Sequence, residues 1–396
     1  MRARKATTVK KKINMLLYGE SFCGKSTFAS NAAYLKNEDG SPMKILYIDA
    51  ESGSVDNYLD EMESNNVNLD NLYIVYTQSL GEVLDCIRKV KDNEDFYEID
   101  PETGEEGDTV VTDAEGRPFR ADMIIVDGVT VLHTAAQQGL LEFSKKRARV
   151  RADNKGLVGD EKLIAIEGSA LETRDWGAIS YKGASLCLSL LGTGKHSIVT
   201  CREKAETVTE KNNRGETVSV PTGRKIPAGF KDLQYNMHTV IRFYRNDDDE
   251  VCAFVEKDRT GVHPNEELID PTILDWQQII DKSVGKTNFV LNNDLDEAVS
   301  TEQEIYSAEV MSNATKSMSK SEMEKARVNN TKFDGTVPSE EDIDALKAEI
   351  KAAIQKLNPV QKKEMQTKLK EAGLPIQYNK ENDEEVLAKI LSIVSE

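Results

Sequence analysis

Short apolar runs alternate with helix-compatible stretches from residue 13 to about residue 261 of the chain. Several of these runs are continuously apolar, which is typical of strands that are covered on both faces. The succession predicts an α/β fold, in which helices flank a mostly parallel central sheet. The predicted strands are residues 13–18, 44–48, 72–76, 123–126, 197–200, 239–244 and 251–255.

Two stretches interrupt this alternation. Residues 96–120 are acidic and carry turn signals such as Asp100-Pro101, which predict a hairpin inserted at the edge of the sheet. Residues 205–221 alternate threonine and valine around an Asn-Asn-Arg-Gly turn. We therefore expect a second inserted hairpin there.

The composition changes after Asp281. Residues 285–338 are rich in Asn, Ser, Thr, Glu and Lys with little periodicity, which predicts a flexible linker. Apolar residues then return at helical spacing and predict a small all-α module of three helices over residues 339–396. Such a module usually serves partner docking or oligomer support, so we expect a protein partner there. The remainder is predicted to be a basic arm over residues 1–12 and a core over residues 13–284.

The chain has 396 residues, with 51 Lys and Arg against 69 Asp and Glu and a formal net charge of −18. This acidic balance argues against nonspecific attachment to nucleic acid but leaves room for a local basic groove. No apolar run approaches the roughly 20 residues that a membrane helix needs. The basic start does not lead into a signal-peptide core either, so we expect a cytoplasmic protein without membrane contact. The cysteines are scattered singly along the chain, which favours reduced thiols over disulfides. The histidines are isolated as well, so the sequence gives no support for a structural zinc site.

The strongest chemical signal is a nine-residue run at the end of the first predicted strand. It matches the pattern G-x-x-x-x-G-K-[ST], and a helix-compatible segment follows it at residues 26–35. The run consists of Gly19, Glu20, Ser21, Phe22, Cys23, Gly24, Lys25, Ser26 and Thr27.

The residue types of this run suit a triphosphate. Gly19 and Gly24 allow the backbone to approach closely, so that successive N–H groups can face phosphate oxygens. Lys25 can neutralise the β- and γ-phosphates, and Ser26 can supply a hydroxyl ligand for Mg²⁺. Cys23 is expected to matter for its backbone and small size. We therefore predict a site for ATP and Mg²⁺, although no residue of the sequence clearly reads the base.

Besides the hydroxyl of Ser26, the site needs an acidic residue that helps to bind the metal ion. The apolar strand at residues 123–126 leads directly into Asp127, the expected metal-binding carboxylate. Gly128 follows, so the carboxylate that polarises the attacking water must come from elsewhere. Glu51 is the best candidate, because it follows the second predicted strand and parallel strand ends converge on one crevice. The alternative for Glu51 is an exposed loop carboxylate.

The segments around these acids resemble the RecA-like P-loop ATPase core over about residues 13–261. Residues 48–51 (Ile-Asp-Ala-Glu) are similar to the segment in which RecA recombinases carry their catalytic glutamate. Residues 125–127 (Ile-Val-Asp) match the metal-binding strand. The resemblance implies a RecA-like fold and makes Glu51 the general base, with Asp127 at the nucleotide and its metal.

Two later segments extend the resemblance. Residues 255–259 (Val-Glu-Lys-Asp-Arg) look like the late strand from which this family extends two basic residues to a neighbour's nucleotide. The resemblance implies that Lys257 and Arg259 act in trans on transition-state charge. Such interfaces are heterologous and generate rings or filaments. Arg202 lies about where the family places its phosphate sensor, usually Gln or His, and an arginine there can contact phosphate directly.

More narrowly, the chain looks like the phage-encoded RecA-like nucleotide-binding proteins, which include single-strand-annealing recombinases. The shared features are the early phosphate loop and Asp175-Trp176-Gly177 opening a helix. The resemblance implies an ATPase that binds single-stranded DNA in phage recombination or replication, by annealing or strand pairing, in the host cytoplasm. The alternatives are a ring-shaped helicase motor or loader, and a nucleotide-switched scaffold that recruits partners through its helical tail.

Basic residues follow the predicted strand that ends in Asp127 and the predicted strand at residues 197–200. RecA-type proteins hold DNA-contacting loops after these two strands. These clusters could support salt-sensitive binding to single strands; the alternative is a solvated surface, because neither has an aromatic ladder. The N-terminal arm is likewise either a solvated tail or a contact for phosphate. The candidate DNA-binding residues are Lys145, Lys146, Arg147, Arg149, Arg151, Arg214, Arg224 and Lys225.

Overall fold

The structure is a computed structural model that describes most of the first 307 residues and scattered later positions. The described residues are 7–100, 102–104, 106–211, 217–231, 233–288, 290, 295, 298–307 and positions between 347 and 395. The chain forms two compact units, Met1–Glu304 and Ile305–Glu396.

The described residues of the first unit include eleven strands. These are β1 (Asn14–Gly19), β2 (Ile45–Asp49), β3 (Leu72–Tyr76), β4 (Tyr97–Ile99), β5 (Glu106–Val110), β6 (Met123–Asp127), β7 (His196–Lys211), β8 (Thr217–Ala228), β9 (Thr239–Arg245), β10 (Val251–Asp258) and β11 (Glu267–Ile269). All seven strands predicted from the sequence are present.

Helices connect these strands. They are α1 (Lys25–Ser30), α2 (Leu59–Ser64), α3 (Leu80–Asp92), α4 (Val129–Asn154), α5 (Gly159–Glu167), α6 (Thr173–Gly192), α7 (Leu233–Asn236) and α8 (Gln277–Asp281). Short 3-10 helices span Asn31–Tyr34, Asp56–Tyr58, Leu69–Asn71 and Ile273–Trp276.

The central sheet has the order β11-β10-β9-β1-β7-β6-β2-β3, with β8 pairing to β7. All neighbours from β9 to β3 are parallel, whereas β8, β10 and β11 pair in the antiparallel sense. This confirms the predicted α/β fold with a mostly parallel sheet. Side chains alternate between two cores: Leu16 and Tyr18 face the one with α3, α4 and α6, and Met15 and Leu17 face the one with α1.

Both predicted hairpins are present, but the second is longer than expected. β4 and β5 form a separate two-stranded sheet, and Phe96 and Phe119 pack their rings on Tyr73 of the edge strand β3. The strand predicted at 197–200 and the second hairpin are one continuous element, because β7 runs on to Lys211 and pairs with β8. The part of this hairpin that extends beyond the sheet, residues 203–211 and 217–227, is called the β-arm below. Its turn, with Arg214, lies outside the described residues.

The segment after β6 is not a loop. α4 contains 26 residues, so it is about 39 Å long at the usual rise, and α5 packs beside it. The N-terminal arm is described from residue 7, where Val9 bridges to Thr287 and Lys10 pairs with Glu38 at 2.7 Å. Residues 1–6 lie outside the described residues.

The second unit has its own apolar core. It includes α9 (Glu384–Ser395), and helical positions are also described between 347 and 354 and between 362 and 369. The core residues are Ile350, Met365, Leu369, Leu387, Ile390 and Val394. Of the predicted linker, residues 298–307 are helical and residues 308–338 lie outside the described part. Among the described helices, none combines the length and apolar character that spanning a membrane requires.

Candidate nucleotide site

The loop between β1 and α1 has the glycine geometry that the sequence pattern predicts. β1 is fully buried and ends at Gly19, and α1 begins at Lys25. Gly24 has a φ of 88°, and a Cβ there would lie 2.9 Å from Cγ1 of Val251. A Cβ on Gly19 would lie 2.1 Å from the backbone oxygen of Phe243. The hairpin of β9 and β10 therefore packs against the loop too closely for side chains at these positions.

Lys25 folds back onto this loop. Its Nζ donates to the backbone oxygens of Glu20 at 2.5 Å and Gly19 at 3.3 Å, and it lies 3.5 Å from Sγ of Cys23. The thiol of Cys23 itself donates to the oxygen of Glu20 at 2.8 Å, and burial raises its pKa. Cys23 is thus a neutral support of the loop. Because the oxygen partners of Lys25 are neutral carbonyls, a phosphate would offer its ammonium a stronger, charged partner.

The other residues of the motif lie around the loop and the first turn of α1. Phe22 is 92% exposed with a left-handed φ of 57°, and Nε of Arg245 donates to its backbone oxygen at 3.0 Å. Ser21 and Thr27 are also exposed, whereas Ser26 is half-buried at the second position of α1. The hydroxyl of Ser26 is therefore next to the lysine, as the motif requires.

Asp127 is a buried carboxylate at the end of β6. Its Oδ2 accepts hydrogen bonds from the hydroxyls of Tyr47 at 2.7 Å and Ser54 at 2.8 Å, and its Oδ1 accepts one from Thr200. Burial, together with the charge of Asp127, raises the pKa of Tyr47, so this phenol remains a donor. A carboxylate has about four acceptor positions. Three hydroxyl donors therefore leave room for one water bound to a metal.

The donor set fits Mg²⁺. The hydroxyl of Ser26 and the carboxylate of Asp127 are hard oxygen ligands, which Mg²⁺ combines with water and phosphate oxygens. Within the described part of the chain, no three or more His, Cys, Asp or Glu residues converge as a metal site. An Mg²⁺ ion that is bound together with a nucleotide usually takes only one or two protein ligands and does not need an all-protein cage.

Asp49 organises the loop that follows β2. It lies in register with Asp127 on the neighbouring strand, and both are 1% exposed. Its carboxylate accepts from the backbone N–H groups of Glu51 at 2.8 Å, Gly53 at 2.9 Å and Ser54 at 2.7 Å. The sequence analysis missed this role. The available signal was a carboxylate at the end of an apolar strand, since a buried charge must find partners.

Glu51 lies between Gly128 and Arg202. Nε and Nη2 of Arg202 donate to Oε1 of Glu51 at 3.2 Å and 3.1 Å. A Cβ on Gly128 would lie 2.6 Å from Cγ of Glu51. Two residues that the sequence singled out separately are therefore in direct contact. Gly128 supplies no carboxylate beside Asp127, but its missing side chain leaves space for the carboxylate of Glu51, which follows β2.

The residue after Arg202 connects the β-arm to the phosphate loop. Glu203 has a side chain only 3% exposed, and it pairs with Arg242 at 2.9 Å and Lys225 at 3.1 Å. Nζ of Lys225 also lies 3.9 Å from a carboxylate oxygen of Glu20. Lys225, a predicted DNA contact, is thus engaged at the base of the β-arm.

The two predicted trans-acting residues differ in their surroundings. Nζ of Lys257 donates to the backbone oxygens of Gln234, Tyr235 and Met237 at 2.9, 3.1 and 2.6 Å. This ammonium caps α7 in its own subunit. Arg259 is exposed, and its guanidinium makes no hydrogen bond or ion pair with any described residue. Of the pair, Arg259 is the one available to a neighbour.

The basic residues after β6 lie on α4 and not on a loop, and several are neutralised within the chain. Acidic residues of α5 and the start of α6 face them, which the local sequence could not reveal. Lys146 and Arg149 are exposed. The ion pairs are Lys145–Glu167 at 3.0 Å, Arg147–Asp175 at 2.6 Å and Arg151–Glu172 at 2.8 Å.

The comparison with known families covers the whole site. Residues 11–265 match a family model described as AAA domain, AAA_24. The match takes in the phosphate loop, Glu51, Asp127 and the segment of Lys257 and Arg259, and it spans more than half of the chain. No curated protein matches the sequence.

Proposed function

The chain belongs to the AAA domain family, and from that premise we propose that it is a Mg²⁺-dependent ATPase with Glu51 as its general base. The α/β P-loop NTPase fold and a nucleotide-dependent activity follow from the family. One observation carries the assignment of the base: Asp49 and Gly128 hold Glu51 at the end of β2, next to the strand that ends in Asp127. A carboxylate in that place can orient and deprotonate a water for attack on a γ-phosphate.

Residues near the ends of the neighbouring strands would bind the phosphates and the metal ion. Lys25 would bind the β- and γ-phosphates, and Ser26 and Asp127 would hold Mg²⁺, which supplies charge neutralisation when bound. Arg202 can donate either to Glu51, as it does in the structure, or to a phosphate. A γ-phosphate that attracts Arg202 would therefore release Glu51 to the attacking water.

Hydrolysis by matched variants tests this proposal. Lys25→Ala is expected to lose both ATP binding and turnover, whereas Glu51→Gln is expected to keep binding and lose turnover by about a hundredfold or more. Glu61→Gln on α2 is the control, because it removes an equally acidic but exposed carboxylate. Unchanged hydrolysis in Glu51→Gln rejects the assigned base.

We infer that single-stranded DNA binds along the β-arm. Lys204 and Arg224 are exposed on it, whereas Lys145, Arg147 and Arg151 on α4 are each paired with an acid. Cations that are free of partners gain most from phosphate, and the binding weakens with salt. The arm begins one residue after Arg202, so bound DNA can influence the nucleotide site through β7.

Fluorescence anisotropy with labelled single strands tests the DNA proposal. Arg224→Ala is expected to weaken binding about threefold to tenfold and to reduce the salt dependence by about one phosphate contact. Arg151→Ala is the matched control, because its guanidinium is held by Glu172. Equal losses in both variants contradict a β-arm site, and DNA that leaves ATP hydrolysis unstimulated contradicts the coupling.

We propose head-to-tail assembly, with Arg259 reaching a neighbour's nucleotide, and a role in phage DNA recombination or replication in the host cytoplasm. The guanidinium of Arg259 is exposed and has no partner among the described residues, which supports the assembly. Electron microscopy with a non-hydrolysable ATP analogue, with and without single-stranded DNA, tests it. Pairing of homologous strands supports a recombinase, and directional unwinding of a forked duplex supports a helicase motor or loader instead.

A nucleotide-switched scaffold is the second candidate. The separate apolar core of the second unit favours it, because a unit with its own core can serve as a docking module. Deletion of residues 305–396 distinguishes the two. Intact hydrolysis and DNA binding with lost capture of a protein partner support the scaffold, and loss of DNA binding supports a direct part in DNA transactions.

A further inference from the structure

A polar cavity of about 810 Å³ opens where β1 and β7 begin, at the opposite end of these strands from the phosphate loop. Its size is in the range of pockets that take small molecules. Residues of the basic N-terminal arm line one side, and the residues just before β7 line another. The nucleotide site uses none of them.

Two lysines stand side by side in this cavity because of the strand register. Asn14 on β1 is paired with Ser197 on β7 in a parallel ladder. Lys12 and Lys195 each precede these residues by two positions, so the ladder brings them together at the start of neighbouring strands, which lie about 4.8 Å apart. Both side chains line the cavity and are half-buried.

The backbone around these lysines is held by buried polar groups. Nδ2 of Asn14 donates to the oxygen of Lys12 at 3.2 Å. The N–H of Ile13 donates to Nδ1 of the buried His196 at 3.0 Å. The two lysines therefore extend from a fixed frame and not from a tail, which limits how far they can separate.

The acidic side chains that line the cavity have hydrogen-bond or ion-pair partners of their own, whereas the ammonium groups of Lys12 and Lys195 have none among the described residues. Within the described residues, neither Nζ of Lys12 nor Nζ of Lys195 makes a hydrogen bond or an ion pair. Burial lowers the pKa of both lysines and neighbouring cations add to this effect, whereas the charge of Asp122 raises both pKa values and that of Glu38 raises the pKa of Lys12. The partners of the acids are Lys10 for Glu38, Ser41 for Asp39, Arg88 for Asp92, and Asn37 with the N–H of Lys44 for Asp122.

We propose that this cavity is a binding site for a phosphate group, held between Lys12 and Lys195. The two ammonium groups are adjacent and partly desolvated, and neither makes a direct ion pair within the described residues, so a bound anion would relieve their mutual repulsion. A phosphate monoester or inorganic phosphate carries about −1.5 to −2 charges near neutral pH and three acceptor oxygens. It matches two ammonium groups better than a carboxylate with one charge does. The basic arm of the sequence thereby acquires a role in phosphate contact through Lys12.

The phosphate has two conceivable sources with the same chemistry, free phosphate and the 5′ end of a DNA strand. Calorimetric titration of the full chain with inorganic phosphate tests the site, at constant ionic strength set with chloride. All variants carry Lys25→Ala, so that the phosphate loop does not contribute. Lys12→Met and Lys195→Met remove the proposed contacts, and Lys11→Met is the control, since it is exposed on the same arm and does not line the cavity.

The proposal expects phosphate affinity to fall about tenfold or more in Lys12→Met and Lys195→Met and to be unchanged in Lys11→Met. Thermal melts provide a second measurement. In chloride alone, the two variants should melt near the parent temperature because neither ammonium group makes a direct ion pair within the described residues, yet phosphate should no longer raise their Tm. A parent without phosphate binding, or equal binding in all variants, overturns the site.

Oligonucleotides with and without a 5′-phosphate distinguish the sources. A preference for the phosphorylated strand that Lys195→Met abolishes identifies a strand end as the ligand. Equal binding of the two strands, with inorganic phosphate still dependent on Lys12 and Lys195, identifies free phosphate. Failure of this site leaves the ATPase proposal untouched, because every measurement is made without a functional phosphate loop.

Discussion

The Cβ that Gly128 lacks would lie 2.6 Å from Cγ of Glu51, so the residue that follows β6 determines the space for the carboxylate that follows β2. Gly128 also has a left-handed φ of 97°. Gly128→Ala is therefore expected to displace Glu51 and to lower kcat about tenfold to a hundredfold. ATP affinity should change little, because the phosphate loop is unaffected. Steady-state hydrolysis and calorimetric ATP binding measure the two quantities.

Gly116→Ala is the matched control for this variant. Gly116 has a left-handed φ of 72°, but a Cβ there meets no atom within 4 Å. The substitution should cost about 1 kcal/mol of stability through its backbone conformation and leave turnover unchanged. Comparable losses of kcat in the two variants would show that backbone strain, and not the contact with Glu51, is responsible.

Arg202 is expected to act on the nucleotide and not on stability. Its pair with Glu51 is 56% exposed on the arginine side, and exposed pairs contribute at most about 1 kcal/mol. Arg202→Ala should therefore barely change the melting temperature but weaken ATP binding about tenfold relative to ADP, through a lost γ-phosphate contact. The measurement is made in both the natural and the Glu51→Gln backgrounds. An effect confined to the natural background means that Arg202 works only by holding Glu51.

The sequence was sufficient for the strands and for the phosphate-loop motif. Runs such as residues 123–126 are apolar on both faces, which identifies a buried strand without any knowledge of its neighbours. The phosphate loop and Asp127 are recognisable because each is local to one strand end. The residues alone made Glu51 a candidate beside the alternative of an exposed loop carboxylate, and the resemblance strengthened it, since its position depends on the meeting of two strands that are distant in sequence.

Residues whose role depends on sheet order could not be predicted. Tyr47, Asp49 and Thr200 lie on strands that become neighbours of β6 only in the folded chain. For the same reason, the sequence could not predict that basic residues on α4 are neutralised by ion pairs. Their number is visible in the sequence, but the acids that neutralise Arg147 and Arg151 arrive from the start of α6.

His196 predicts a loss of stability in acid. Burial, with Lys12 and Lys195 adding to it, lowers its pKa to about 3, and its Nδ1 accepts from the N–H of Ile13. The unfolded chain takes up this proton near pH 6.5, so the stabilisation is present above that pH and is lost as pH falls toward 3. Over the whole window it amounts to on the order of 5 kcal/mol. Urea unfolding of His196→Gln between pH 7.5 and 4 should show a slope reduced by about one proton, and parallel curves would contradict this.

His263 predicts the opposite dependence. Partial burial alone would lower its pKa, but hydrogen bonds to Glu266 at 2.8 Å and Asp275 at 3.1 Å outweigh that effect and raise it. The stabilisation is therefore present below the unfolded value and is lost as pH rises through the raised folded value. His263→Gln should be less stable than the natural chain at pH 6, by under about 1 kcal/mol because the pair is partly exposed. The difference should shrink by pH 9, and one that grows with pH rejects the assigned partners.

Lys257 and Arg259 are expected to separate into a structural and a trans-acting residue. Lys257 donates to three backbone oxygens that end α7, so Lys257→Ala should cost about 1–3 kcal/mol of stability. Arg259→Ala should stay within about 0.5 kcal/mol of the natural chain, as expected for an exposed side chain that contacts no partner in the described part of the chain, and lose most of its ATP hydrolysis. Chemical unfolding and steady-state turnover of the two variants measure this division.

Mixing experiments decide whether Arg259 reaches a neighbouring subunit. Arg259→Ala subunits keep an intact phosphate loop, and Lys25→Ala subunits keep an intact Arg259. In a head-to-tail assembly, some mixed interfaces join the two intact halves, because each site takes its loop from one chain and its arginine from the next. Activity should therefore reappear on mixing two nearly inactive proteins and pass through a maximum near equal amounts. Mixtures that remain as inactive as their components would mean that Arg259 serves the nucleotide of its own chain or none.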